Sequence, residues 1–65
     1  MRIQVNGRSL EVLATTLASL IDELGYGDRK VGTAINQEFV RDRDRAATIL
    51  HEGDAVEIVT PRQGG

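Results

Sequence analysis

At 65 residues the chain holds one domain at most and sits near the lower limit for folding without a disulfide, a metal or a partner. Apolar residues make up 40% of it, yet Tyr26 and Phe39 are the only aromatics, so the core must come from Ile, Leu, Val and Ala. The absence of cysteine excludes a disulfide framework, a thiolate zinc site and a cysteine nucleophile or persulfide carrier, and a net charge of -2 with scattered Lys and Arg argues against a nucleic-acid partner.

No apolar run approaches a membrane span, and Met1-Arg2 leads directly into Ile3 and Val5 rather than into a signal segment, so no membrane partner and a cytoplasmic location are expected. Arg2-Ile3-Gln4-Val5 alternates with the period of a half-buried strand. Asn6-Gly7 follows, the strongest short signal for a type I′ hairpin, and a second strand runs through Leu10, Val12 and up to Leu13. Thr15 and Thr16 are candidate N-caps. Beyond them Leu17, Leu20, Ile21 and Leu24 make one apolar stripe on a helix of about nine residues, with Asp22 and Glu23 turned to water. Gly25 suits the left-handed position after the helix, with Tyr26 folding back as its hydrophobic contact. Truncating Leu20 or Leu24 is expected to unfold this helix.

Gly27-Asp28-Arg29 reads as a loop, and Val31 to Ile35 as a strand whose small Gly32 and Ala34 indicate close packing. Asn36-Gln37 is a tight turn before the short apolar pair Phe39-Val40. Arg41 to Arg45 alternates with Asp42 and Asp44, has no hydrophobic period and reads as a solvated connection. Ala46 to Leu50 is expected to form a single helical turn that tucks Ile49 or Leu50 into the core. Glu52-Gly53-Asp54 is a turn signal, and Ala55 to Thr60 alternates with Val56 and Ile58 on one side and Glu57 and Val59 on the other. Pro61 ends the regular strand.

Strand, strand, helix, strand, short strand, irregular turn, strand is an α+β order in which one helix covers one face of a small sheet of four to five strands. The first and last strands are expected side by side in the middle, as a parallel pair. On that layout the tail leaves a central strand, and Pro61 to Gly65 reaches at most about 16 Å from it. Gln63-Gly64-Gly65 is costly to order and has no side chain at its last two positions. Its use is slenderness: Gly64 and Gly65 enter a channel too narrow for a β-carbon and present a carboxylate inside it. That carboxylate on Gly65 is the candidate working group, for acyl activation or transfer.

Ile3-x-Val5-Asn6-Gly7, Ala34-Ile35-Asn36-x-x-Phe39-Val40, Gly53-Asp54-x-Val56-Glu57-Ile58 and the closing Gly64-Gly65 together resemble the sulfur carrier proteins of thiamine biosynthesis, the ThiS family. The likeness covers essentially the whole chain. It implies a ubiquitin-like β-grasp domain over residues 1–60 and a flexible C-terminal tail over 61–65. It further implies that Gly65 is adenylated by an ATP-using, ThiF-like enzyme and converted to a thiocarboxylate. The sulfur then comes from a cysteine desulfurase or another donor system and is passed to thiazole synthase, a ThiG-like barrel enzyme. Gly64 and Gly65 thread into the partners' active sites, and the apolar surface of the sheet is where such proteins usually meet their enzymes. The chain departs from the family pattern in having Arg41 where a proline is frequent, Arg45 where an aromatic is frequent, and Pro61-Arg62 in a tail that is often aliphatic.

Inside the domain nothing competes with the tail. His51 is the sole histidine and reads as a surface residue, and Ser9 has no nearby sequence partner beyond Glu11 and reads as a strand or turn polar residue. No phosphate-loop spacing of glycines and lysine occurs. The expected protein is therefore a carrier and substrate rather than an enzyme, with no bound cofactor and no metal, while ATP and the sulfur donor belong to its partners. Delivery to molybdopterin, amino-acid or tRNA thiolation, attachment to lysines as in ubiquitin-like modifiers, and a non-covalent β-grasp interaction module stay open on the residues alone.

Overall fold

The structure is a computed structural model that describes residues 1–61. Its elements are β1 (Arg2–Val5), β2 (Arg8–Glu11), α1 (Leu17–Glu23), β3 (Gly32–Ile35), β4 (Glu38–Val40), a 3-10 turn (Asp42–Ala47) and β5 (Ala55–Val59). The strands form one five-stranded sheet in the order β2-β1-β5-β3-β4. β1 and β5 run parallel at its centre, and the other neighbours are antiparallel. The helix lies across one face. This is the α+β arrangement expected from the element order and the β-grasp fold that the resemblance implies, with five strands.

Two hairpins give the sheet its halves. Asn6 and Gly7 take φ of 52° and 82°, the left-handed pair that a type I′ turn requires, and fix the β1–β2 register at Val5↔Arg8. Asn36 and Gln37 repeat this with φ of 51° and 72° between β3 and β4. The halves meet on β5. Its Val56 and Ile58 point to the helix and are almost wholly buried with Ile3, Val5, Leu17, Leu20 and Ile21. Burying an aliphatic side chain of this size stabilises by about 1.5–3 kcal/mol, and these side chains hold a helix too short to persist alone.

Thr16 is the N-cap of α1. Its hydroxyl accepts from the Ser19 amide at 3.1 Å while the Ser19 hydroxyl accepts from the Thr16 amide at 3.2 Å, a reciprocal capping box. At the other end the Gly25 amide donates to the Asp22 carbonyl at 3.0 Å and the Tyr26 amide to that of Ile21 at 3.1 Å. With Gly25 at φ 88° this is a Schellman motif, and Tyr26 packs on the core as expected. The motif ends the helix at Glu23, so α1 has seven residues rather than about nine and Leu24 becomes its C-cap. Leu24 is only half-buried, whereas Leu17 is fully buried, so Leu17 and Leu20 carry the packing expected of Leu20 and Leu24.

Three further expectations are corrected. β2 ends at Glu11; Val12 is buried beyond it and Leu13 is 91% exposed. Glu23 does not simply face water. Its carboxylate accepts the amides of Leu13, at 3.1 Å, and Ala14, at 2.8 Å, and ties the β2–α1 connection to the end of the helix. The helical turn falls on Asp42–Ala47, not on Ala46 to Leu50, so the segment read as a bare connection carries it. Leu50 rather than Ile49 enters the core.

Candidate functional site

β5 alternates strictly, so with Val56 and Ile58 turned inward, Glu57 and Val59 emerge on the sheet face opposite the helix. There Gly32 stands across from Val59 and Ala34 across from both Glu57 and Phe39. A β-carbon on Gly32 would lie 3.1 Å from Val59 Cγ2, so the missing side chain lets Val59 lie against the backbone of β3. The close packing expected of Gly32 and Ala34 is thus on the outer face. The result is a shallow apolar depression of about 120 Å³, with Gly32 and Ala34 as floor and Phe39 and Val59 as walls. Phe39 is 72% and Val59 63% exposed, which is unusual for large apolar side chains lying together.

A cationic margin borders this patch. A groove of about 540 Å³ runs from Phe39 between the 27–31 loop and the 41–45 segment, where Arg29, Lys30 and Arg41 stand among Asp28 and Asp42. Arg29 and Lys30 also line a hollow with Thr60 and Pro61, the residues through which the chain leaves β5. The departure point of the tail therefore lies next to two cations and one residue beyond the apolar patch. Gly64 and Gly65, the expected threading and reacting residues, lie outside the described residues.

Arg45 behaves differently from its neighbours. Its Nε donates to Thr33 Oγ1 at 3.0 Å and its Nη2 to the Val31 carbonyl at 2.6 Å. Thr33, buried in an otherwise apolar strand, in turn donates to the Val40 carbonyl at 2.8 Å. One side chain thereby fixes the 3-10 turn to β3 and sets the wall of the groove. The charge alternation of 41–45 hid this role; the one sequence signal for it was a lone polar residue in β3. The other polar residues weighed in sequence stay peripheral. His51 has a side chain 77% exposed, 3.9 Å from Asp54. Ser9 Oγ accepts a hydrogen bond from Arg2, and Arg41 meets Asp44 at an exposed 3.7 Å, a pair worth about 0–1 kcal/mol. Among the described residues no group of three or more His, Asp or Glu side chains is placed to hold a metal ion, and no helix is long and apolar enough to cross a membrane.

A small mixed sheet grasping one helix, with an exposed apolar patch at the end of its last strand, defines a protein of the ubiquitin-like β-grasp class. Residues 3–65 match the ThiS family, and the chain belongs to that family. Its fold superposes with a TM-score of 0.85 on the crystal structure of the thiamine biosynthesis protein ThiS from Geobacter metallireducens, at 28% identity and with both chains covered in full. The solution structure of a thiamine biosynthesis protein from the same organism gives a TM-score of 0.81 at 28% identity, covering all of this chain and 88% of that one. The whole chain is also 35% identical over 66 residues to a thiazole synthase of Paramagnetospirillum magneticum, of which it spans only 20%.

Proposed function

We propose that this protein is the sulfur carrier of a thiazole-forming step in thiamine biosynthesis, and that the carboxylate of Gly65 is the group that carries the sulfur. The observation that bears most weight is the family match, which runs through Gly65 itself. The likeness of the whole chain to one fifth of a thiazole synthase supports that enzyme class as the recipient.

The chemistry needs no catalytic side chain on the carrier. A carboxylate resists nucleophilic attack because of its charge and resonance. In the proposed cycle one of its oxygens attacks the α-phosphorus of ATP on an adenylating enzyme, and pyrophosphate leaves. Hydrosulfide then adds to the acyl carbon and expels AMP, leaving a thiocarboxylate; a donor protein's persulfide would instead give an acyl disulfide, which a thiol must cleave reductively to leave the same product. This species is anionic near neutral pH and a competent sulfur nucleophile toward the thiazole synthase. ATP and the sulfur donor are bound by the partners; the carrier is a cytoplasmic substrate protein. Its Phe39–Val59 patch serves as the grip, which places the root of the tail against the mouth of the partner's channel. Aromatic and aliphatic anchors of this kind, rimmed by charge, are what a docking surface requires.

Incubating the full chain with ATP, a sulfide source and an adenylating enzyme tests the reading. The expected product is heavier than the carrier by the difference between a sulfur and an oxygen atom, and it supports thiazole formation when given to a thiazole synthase. A thiocarboxylated product that the synthase does not accept would redirect the sulfur to another pathway.

A further inference from the structure

Delivery of one carboxylate at a fixed offset requires that the last strand be held firmly on both edges. On the β3 edge the ladder continues through Ile58 and Val59, opposite Thr33 and Gly32. On the β1 edge the paired residues stop at Val5↔Val56, because the chain turns away at Asn6 with φ 52°. The Asn6 amide still donates to the Val56 carbonyl at 2.9 Å. From there the side chain takes over. Asn6 Oδ1 accepts the Ile58 amide at 2.8 Å, and Asn6 Nδ2 donates to the Ile58 carbonyl at 3.1 Å.

A carboxamide offers the same donor and acceptor as a peptide group. Asn6 thus supplies the rung that the backbone of β1 cannot provide, two residues before Thr60. The turn alone does not demand this residue, since glycine or aspartate also tolerates left-handed φ. Satisfying both polar groups of Ile58 does demand a carboxamide. We propose that Asn6 is a positioning residue: by clamping Ile58 it fixes the direction in which the chain leaves β5, and with it the point from which the last residues reach into an adenylating enzyme. The inference rests on the carrier function proposed above.

Two variants of the full chain separate this role from simple support of the turn. Asn6→Gly keeps the left-handed backbone and removes the clamp; Asn6→Asp keeps the acceptor for the Ile58 amide and loses the donor. Amide hydrogen exchange at Ile58 is read in the carrier alone, and ATP-dependent AMP release is followed against carrier concentration with an adenylating enzyme. For Asn6→Gly the expected result is faster exchange at Ile58, an unchanged KM for the carrier, and a kcat lower by roughly tenfold to a hundredfold, the range a small misplacement of a reacting group produces. Asn6→Asp is expected to fall between it and the wild type, and it decides by the same split if Asn6→Gly does not fold. Wild-type kcat in a variant whose Ile58 exchanges freely would overturn the proposal, and so would a raised KM at unchanged kcat. Failure of the wild type itself to be adenylated defeats the carrier function, and this inference with it, and is recognised because every variant and the parent then fail alike.

Discussion

Glu23 sits in the last turn of α1, where the helix dipole disfavours a negative charge. It is kept there by three contacts to the amides of Leu13 and Ala14, which also close the connection between β2 and the helix. Glu23→Ala is expected to lower stability by about 1–2 kcal/mol, because it leaves these amides to water and frees the connection. Chemical denaturation of both proteins checks this, and an unchanged midpoint would mean the contacts are dispensable. Sequence reasoning placed Glu23 off the apolar stripe and stopped at solvent, since nothing in the spacing of residues 13 to 23 reveals that the preceding connection folds back to it. Arg45 was missed for the same reason: its partners Thr33 and Val31 are distant in sequence and become neighbours only when β3 is in place. Local signals are more legible. Asn6-Gly7, Thr16 and Gly25 each demand a particular backbone conformation or cap, and each shows it.

Among the elements, α1 is the clearest case of a segment held by its context. Its stripe of Leu17, Leu20 and Ile21 was visible as a period, while its end was fixed by the Schellman motif at Gly25 and Tyr26 one residue sooner than the stripe suggests. Leu20→Ala should cost about 2–5 kcal/mol, because the side chain is wholly buried between helix and sheet and leaves a cavity. In a domain this small that is a large share of the total stability. Thermal unfolding followed by circular dichroism would show it as a sharply lowered midpoint, and a small shift would place the helix outside the cooperative core. The 3-10 turn was misplaced for a physical reason. Short helical turns have little hydrophobic period to betray them, and this one is anchored by Arg45 and by the Thr48 hydroxyl, which donates to the Asp44 carbonyl at 2.7 Å.

On the scale of the whole molecule, the parallel pairing of β1 with β5 was legible because these are the most regular apolar alternations in the chain, and a central position buries most of them. The place of β3 is not legible in the pattern, because the long connection through α1 permits β3 beside β2 or apart from it; two strands separate them. The outer patch follows from that order, since it needs β5 beside β3 to bring Val59 over Gly32. Phe39→Thr is expected to change stability by no more than about 0.5 kcal/mol, as the ring is largely exposed, while raising the KM of the carrier for its adenylating enzyme. Steady-state kinetics beside a denaturation curve separates the two effects, and an unchanged KM would remove the patch from the docking surface.

The proposed carrier role depends on chemistry at one acyl carbon, that of Gly65. Intact-mass spectrometry of the wild type and of a variant lacking Gly65, each treated with ATP, sulfide and the adenylating enzyme, is the most direct test. The account predicts that the wild type exchanges one oxygen for sulfur and that the shortened chain keeps its mass. A wild type left unchanged by an enzyme active on other carriers, or a shortened chain that gains sulfur equally well, would contradict it.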